Sequence, residues 1–193
     1  MLLNSLVLVF TPIFFSLFIF SVFAHRIEHI RELYLYIGRS KIELSISYTI
    51  PAGDRAFQIR KKFDTNKDGF LDDSELEYMR RFVAHDAVKG LKITFQERPV
   101  NIYAYNINLD LARESDSSLE ILSSLTVPIW LAQAPPPPYF KVGIMEERFH
   151  HTHIKVKSDF KVKFESSKLQ EGEGIFYGEI KRAKPLIIKV LWE

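Results

Sequence analysis

Residues 42–50, Ile42-Glu43-Leu44-Ser45-Ile46-Ser47-Tyr48-Thr49-Ile50, alternate strictly between apolar and polar side chains. Successive side chains of a β-strand point to opposite faces, so this stretch predicts a strand with one buried face. About eight or nine such short stretches indicate an antiparallel β-sandwich-like domain or an open barrel. The same alternation recurs at residues 91–95, 103–111, 125–131, 140–144, 154–156, 160–164, 175–177 and 185–192.

The segment between residues 50 and 91 has a helical period instead. A first helix is expected to have Asp54 as its N-cap and to turn Arg60 toward solvent, and Gly90 is expected to end a second helix. The fold class predicted is therefore α+β and mainly β, with an inserted helix–loop–helix at residues 54–89. The apolar stripes of the two helices comprise Ala56, Ile59, Phe63, Leu76, Met79, Phe82 and Val83.

The twelve residues between the two helices are rich in oxygen-bearing side chains. Oxygens fall at positions one, three, five, nine and twelve of residues 64–75, with Gly69 at position six and Leu71 at position eight. Calcium takes about six to eight oxygen ligands, and a sharp turn at Gly69 would need a positive φ. Leu71 is expected to point into apolar surroundings. The candidate calcium ligands are Asp64, Asn66, Asp68, the backbone carbonyl of Phe70, Asp72 directly or through water, and Glu75 with both carboxylate oxygens.

The loop and its flanking helices, residues 54–89, resemble the EF-hand family of calcium-binding proteins, and every ligand position carries an acceptable residue. The resemblance implies one bound Ca²⁺. EF-hands generally work in pairs, so it also implies that a lone loop binds weakly or borrows a partner from another chain. Extracellular sites have Kd values of about 10⁻⁴–10⁻³ M, a range in which calcium would stabilise the fold rather than trigger a change.

The first 24 residues contain no charged side chain, and residues 6–23 are almost wholly apolar. Residues 1–24 are predicted to be a signal peptide cleaved before His25, or an uncleaved membrane anchor through residues 5–24. Either alternative predicts an exported protein that is periplasmic, in the envelope or secreted. Residues 25–193 are then expected to form a single β-rich domain.

Histidines cluster at two places in the remaining chain. His25 and His29 lie near the start of residues 25–193. His151 and His153 are two residues apart, so a β-strand would put them on one face. Imidazoles at this spacing can bind zinc, copper or nickel. The alternative is that they are solvated or structural, because Lys155 and Lys157 continue the same strand face and repel cations. The candidate second metal site comprises His25, His29, His151 and His153.

The layout also resembles small exported bacterial β-rich proteins that accompany nickel- or cobalt-type permeases. His25, the loop at residues 64–75 and the strand pattern carry this resemblance, which implies metal handling beside a transporter. We therefore predict an exported calcium-binding protein. The alternatives are a periplasmic accessory protein of nickel, cobalt, copper or zinc transport, and an envelope interaction module.

Several function classes find no support in the sequence. The net charge of +2 gives no reason to expect a nucleic-acid partner. The chain has no Gly-rich phosphate loop, no HExxH and no nucleophile elbow, so we predict that it is not an enzyme. It has no cysteine, which excludes disulfides and thiolate chemistry.

Overall fold

The computed structural model describes residues 29–39, 42–102, 105–129, 139–144, 151–181 and 184–191. The predicted signal peptide or anchor, residues 1–24, and His25 lie outside these ranges. Within them, no helix combines the length and the apolar character that a membrane span requires.

Two helices and many short strands make up the described chain, which confirms the prediction of a mainly β, α+β protein. Both helices lie between the second and third strands. In chain order the elements are β1 (Ile30–Ile37), β2 (Ile42–Ile50), α1 (Asp54–Phe63), α2 (Asp73–Val88), β3 (Leu91–Phe95), β4 (Arg98–Pro99), β5 (Tyr105–Asp110), β6 (Ile121–Ile129), β7 (Tyr139–Ile144), β8 (His151–Ser158), β9 (Lys161–Glu165), β10 (Gln170–Gly172), β11 (Ile175–Lys181) and β12 (Leu186–Leu191).

The described strands form two sheets and not a closed barrel. The large sheet has seven strands in the order β10-β11-β8-β1-β2-β6-β5, and the small sheet has five in the order β4-β3-β7-β12-β9. Every pair is antiparallel except β1 and β8, which run parallel with Leu33 opposite Ile154. The prediction of purely antiparallel sheets is wrong at this pair, because side-chain alternation shows which face is buried but not the direction of the neighbouring strand.

Strand β1 lies in the middle of the large sheet, although the alternation of apolar residues does not predict it. Its buried face carries Arg31 beside Leu33 and Leu35, and all three are at most 1% exposed. The Arg31 guanidinium donates to the carbonyl oxygens of Ala87 (3.1 Å) and Lys89 (3.0 Å). These carbonyls lie where α2 ends and lack partners within the helix, so a buried cation suits this position.

Buried residues of both sheets and both helices form one apolar core. The strict alternation of β2 is confirmed, since Leu44, Ile46 and Tyr48 are buried while the residues between them are partly exposed. Helix α2 packs against β2, β5 and β6. The two predicted helical stripes are also confirmed. Their members are either buried or packed against the core, namely Ala56, Ile59, Phe63, Leu76, Met79, Phe82 and Val83.

Two local predictions about α1 are wrong. Asp54 is the first helical residue, and the N-cap is Gly53, which has φ 135° and provides no side-chain cap. The Gly53 amide instead donates to the Ser118 carbonyl oxygen at 2.7 Å. Arg60 does not face solvent but is 0% exposed.

Candidate metal centre

The loop between α1 and α2 has the positive φ at Gly69 and the buried Leu71 side chain that the sequence predicts. Gly69 has φ 89°, and a Cβ placed there would meet no atom within 4 Å, so glycine is required by conformation alone. Leu71 is 1% exposed and lies in the core, whereas the side chain of Phe70 is 57% exposed. The Leu71 side chain therefore fixes the loop to the protein.

The first half of the loop is built from side-chain-to-backbone hydrogen bonds. Asn66 Oδ1 accepts from the Asp68 amide at 2.9 Å, and Asp68 Oδ1 accepts from the Phe70 amide at 2.8 Å. Asp64 Oδ2 accepts from the Gly69 amide at 3.2 Å. These bonds turn the oxygen-bearing residues around one another and hold the loop in a tight turn.

The second half of the loop forms the N-terminus of α2. Asp72 is the N-cap, and its Oδ1 accepts from the amides of Ser74 (2.8 Å) and Glu75 (2.9 Å). Glu75 Oε2 accepts from the Asp72 amide at 3.1 Å, which completes a capping box. Glu75 Oε1 accepts from the Thr65 amide at 2.7 Å. Glu75 thus connects the two ends of the loop.

Asp64 and Glu75 are both buried, but Asp64 differs from the other carboxylates of the loop in its hydrogen bonding. Its side chain is only 8% exposed, and Oδ1 is buried without a hydrogen bond of normal geometry from any described residue. Among the buried polar atoms that lack such a bond in the described residues, it is the one carboxylate oxygen. A buried acceptor without a partner is costly, so a water molecule or a cation would suit this oxygen.

Hydrogen bonds keep three of the loop carboxylates ionised. The Ser115 side chain is the largest cause that lowers the pKa of Asp64, and the Gly69 amide lowers it further against the effect of burial. The amide of Glu75 is the largest cause that lowers the pKa of Asp72, and the Thr65 side chain is the largest for Glu75. Three negative charges therefore persist in one short loop at neutral pH.

The donor set of the loop fits a hard cation. The residues that would hold Ca²⁺ offer only oxygen, from Asp64, Asn66, Asp68, the Phe70 carbonyl, Asp72 and Glu75. Within the described chain, no three carboxylate or imidazole groups are gathered closely enough to hold a metal ion. Binding through both oxygens of Glu75 would exchange its bonds from Thr65 and Asp72 for bonds to the ion.

Residues 113–115 lie beside the loop and are absent from the predicted site. The Leu71 amide donates to the Arg113 carbonyl oxygen at 2.9 Å, and the Ser115 amide donates to the Gly69 carbonyl oxygen at 2.8 Å. Phe70 and Glu114 thereby form an antiparallel bridge. This segment has no hydrophobic period of its own, so the sequence pattern gives no signal for its role.

Arg60 holds the wider segment, residues 112–120, against α1. Burial lowers its pKa, while Glu114 opposes that shift. The backbone carbonyl of Arg60 accepts a hydrogen bond from the Asp64 amide at 3.1 Å, so Arg60 also contacts the first residue of the loop. Its guanidinium donates to the carbonyl oxygens of Ala112 (3.0 Å), Ser117 (3.2 Å), Leu119 (2.6 Å) and Glu120 (3.1 Å).

His29 lies on the inner face of the large sheet, near the C-terminal end of α2. Its Nδ1 forms a hydrogen bond with the hydroxyl of the buried Tyr48 and lies 3.8 Å from Asp86 Oδ2. The Tyr48 hydroxyl donates to the same Asp86 oxygen at 2.7 Å. This arrangement is a buried polar network that links β2 to α2.

His153 lies on the outer face of the large sheet. It alternates along β8 with the buried Thr152 and Ile154, and its Nδ1 is 4.0 Å from Glu179 Oε1. The structure therefore places His29 and His153 on opposite faces and does not bring them together. The backbone of His151 pairs with Lys181 in the same sheet, but the His151 side chain lies outside the described part.

Comparisons with known proteins add little to this geometry. No protein-family model matches the chain, and no curated protein matches it. Among solved structures, the chain is similar to native yeast LTA4 hydrolase, with 12% identity and a TM-score of 0.31 over 84% of this chain. The match spans 28% of that chain. A similarity at this level carries no argument about fold or activity.

Proposed function

We propose that the protein is an exported calcium-binding protein in which one EF-hand, residues 64–75, holds a single Ca²⁺. In this proposal the helix–loop–helix of α1 and α2 is an insertion in a β-sandwich-like domain. The observation that carries the proposal is the buried Asp64 Oδ1, which receives no hydrogen bond of normal geometry from the described residues. It belongs to the residue that the EF-hand spacing makes the first ligand.

The chemistry of the loop favours calcium over other metals. Its donors are all oxygens, which suit calcium and magnesium better than zinc, copper or nickel. Magnesium demands near-octahedral geometry and keeps several waters, whereas calcium accepts a larger and more flexible set with a bidentate carboxylate. A loop that ends in Glu75 therefore favours calcium.

A structural role for the ion follows from where the loop is attached. Leu71 anchors it in the core, and Asp72 and Glu75 begin α2. Calcium would neutralise the carboxylates that repel one another in this loop, and would thereby hold α1 and α2 together on the sheet. The ion would then raise the stability of the whole domain by mass action.

The test is calcium binding by the full chain, kept in mild detergent, with Glu77→Gln as a matched control for Glu75→Gln. Glu77 lies on the same helix and pairs only with Arg80 and Arg81 among the ion pairs of the described residues. We expect Glu75→Gln to weaken calcium binding by about an order of magnitude or more, because a charged bidentate ligand is lost. Glu77→Gln should bind as the unmodified protein does in calorimetry.

Two further arms make this test decisive. Glu75→Asp keeps the charge but retracts the carboxylate, so it should also weaken binding. Thermal unfolding after chelation, repeated with about 1–5 mM calcium, magnesium, zinc or nickel, should show its largest rise with calcium. Calcium affinity that is unchanged in both Glu75 variants would disprove the loop assignment.

The other functional hypotheses remain predictions. The separation of His29 from His153 gives the transition-metal alternative no supporting contact, and the nickel and zinc arms above test it directly. Export, membrane anchoring through residues 5–24, the envelope interaction module and the absence of enzymatic activity each await their own measurement.

A further inference from the structure

Residues 113–115 of the same chain pair with the middle of the proposed calcium loop through one isolated antiparallel bridge. The two hydrogen bonds from Leu71 to Arg113 and from Ser115 to Gly69 flank Phe70, whose carbonyl is a proposed ligand. These bonds use the backbone amide of Leu71, at loop position eight, and the backbone carbonyl of Gly69, at position six. The backbone edge through which this loop could pair with another loop is therefore already occupied within the chain.

The pairing segment is itself firmly held. Arg60 donates to four carbonyl oxygens of residues 112–120, and the Gly53 amide donates to a fifth, that of Ser118. Hydrogen bonds from a buried charged donor are stronger than those between neutral groups. The segment is thus attached to both ends of α1 and presents its edge to the loop from a fixed position.

Ser115 links this segment to the first ligand. It is only 6% exposed, its amide bonds the loop backbone, and its side chain is the largest cause of the lowered pKa of Asp64. Asp64 Oδ2 is bonded to Gly69, and Oδ1 is buried without a hydrogen bond of normal geometry from the described residues. The Gly69 amide orients the Asp64 carboxylate, and the Ser115 amide in turn holds the Gly69 carbonyl.

We propose that residues 113–115 complete the calcium site within one chain, with Ser115 as a positioning residue for Asp64. This inference rests on the proposed calcium function and adds to it. The EF-hand resemblance implies that a lone loop binds weakly or borrows a partner from another chain, and here a segment of the same chain takes the partner's place. One chain binds one Ca²⁺ as a monomer.

The first test compares Ser115→Ala with Ser118→Ala. Ser118 is exposed in the same segment and offers its backbone carbonyl, which the substitution keeps. Groups that orient a metal ligand typically contribute 10–100-fold to affinity, so we expect Ser115→Ala to raise the calcium Kd roughly tenfold or more. Ser118→Ala should leave the Kd unchanged, and Ser115→Thr, which restores a hydroxyl, should recover most of the affinity.

A second variant separates the backbone contact from the hydroxyl. Ser115→Pro removes the amide that bonds Gly69, and it should weaken calcium binding more than Ser115→Ala does. Hydrogen exchange at the Leu71 and Ser115 amides of the unmodified protein reports the same bonds without mutation. Calcium should slow exchange at both amides, and sedimentation velocity in saturating calcium should give the monomer mass.

The outcomes separate the two proposals. Failure of the unmodified protein to bind calcium overturns the calcium function and this inference with it. Binding that is lost in Glu75→Gln but kept in both Ser115→Ala and Ser115→Pro overturns the inference alone. A calcium-dependent dimer, or unchanged exchange at Leu71 and Ser115, also contradicts it.

Discussion

The two ends of helix α2 satisfy their free backbone groups in different ways. At the C-terminal end, the chain supplies its own cation, since Arg31 reaches from β1 to the carbonyls of Ala87 and Lys89. At the N-terminal end, the carboxylates of Asp72 and Glu75 accept the free amides. Both choices agree with the direction of the helix dipole.

The two ends differ in the hydrogen bonding of the buried acid that lies next to each of them. Near the C-terminal end, Tyr48 donates to Asp86 and His29 contacts both, so the buried acid has partners within the protein. At the N-terminal end, the neighbouring acid Asp64 keeps one buried oxygen without a hydrogen bond from the described residues. Buried charge with internal partners stabilises the fold, whereas the buried Asp64 oxygen is the atom on which the proposed calcium site depends.

The largest effect is expected from Arg31→Met, which removes the hydrogen bonds to the backbone carbonyls at the C-terminal end of α2. Loss of hydrogen bonds from a charged donor to buried carbonyls should lower the free energy of unfolding by about 3 kcal/mol or more. Urea denaturation measures this, with the exposed Arg55→Met on α1 as the control that should change little. A loss below about 1 kcal/mol would mean that water replaces the guanidinium there.

The gain in unfolding free energy on adding calcium should be somewhat smaller, and it should distinguish Asp64 from Asp86. In the unmodified protein, calcium at about 100 times its Kd should add about 2.7 kcal/mol to the free energy of unfolding. Asp64→Asn should abolish this gain, whereas Asp86→Asn should keep it and lower stability equally with and without calcium. Chemical denaturation of each variant, once in chelator and once in calcium, gives four unfolding free energies. An equal increase with calcium in both variants would refute the comparison.

The smallest effect concerns pH in the absence of calcium. The pKa values of Asp64, Asp72 and Glu75 are lowered from their ordinary 3.8, 3.8 and 4.5, so folding favours their ionised forms. Their contribution to stability is present above those ordinary values and is lost as pH falls through the lower folded values. Unfolding midpoints measured between about pH 6 and pH 3 should therefore decline toward acid.

The matched variant for this titration is Glu75→Gln, whose decline toward acid should be shallower. Glu97 and Glu165 also have lowered pKa values, through Lys141 and Lys189 respectively, and they contribute in the same direction from elsewhere. The difference between the two titrations isolates Glu75. Identical slopes would show that the Glu75 carboxylate has the same pKa in the folded and unfolded chains.

Local chemistry explains why so much of the loop could be predicted. The positive φ of Gly69 and the inward direction of Leu71 follow from the spacing within twelve residues, and both are confirmed. Strand alternation is equally local, which is why most strands of both sheets follow from the pattern. Whether the loop binds calcium stays a prediction, because the gathering of its ligands depends on the ion itself.

Long-range contacts account for what the sequence could not predict. Periodicity assigns arginine to solvent, yet Arg31 and Arg60 are both fully buried because their N–H groups find backbone carbonyls on distant segments. Residues 113–115 matter only through their position beside Gly69 and Leu71 in space. The parallel pairing of β1 with β8 is likewise set by the path of the chain between them.

That parallel pair also determines when the protein can finish folding. Arg31 of β1 and its contact Thr152 of β8 are 121 residues apart. Ribosomes add about 5–20 residues per second, so β1 waits roughly ten seconds for its neighbour after it has been made. During that time one edge of a central strand is exposed and can pair with other chains. Closure of this long loop, rather than formation of α1 and α2, is expected to set the folding rate.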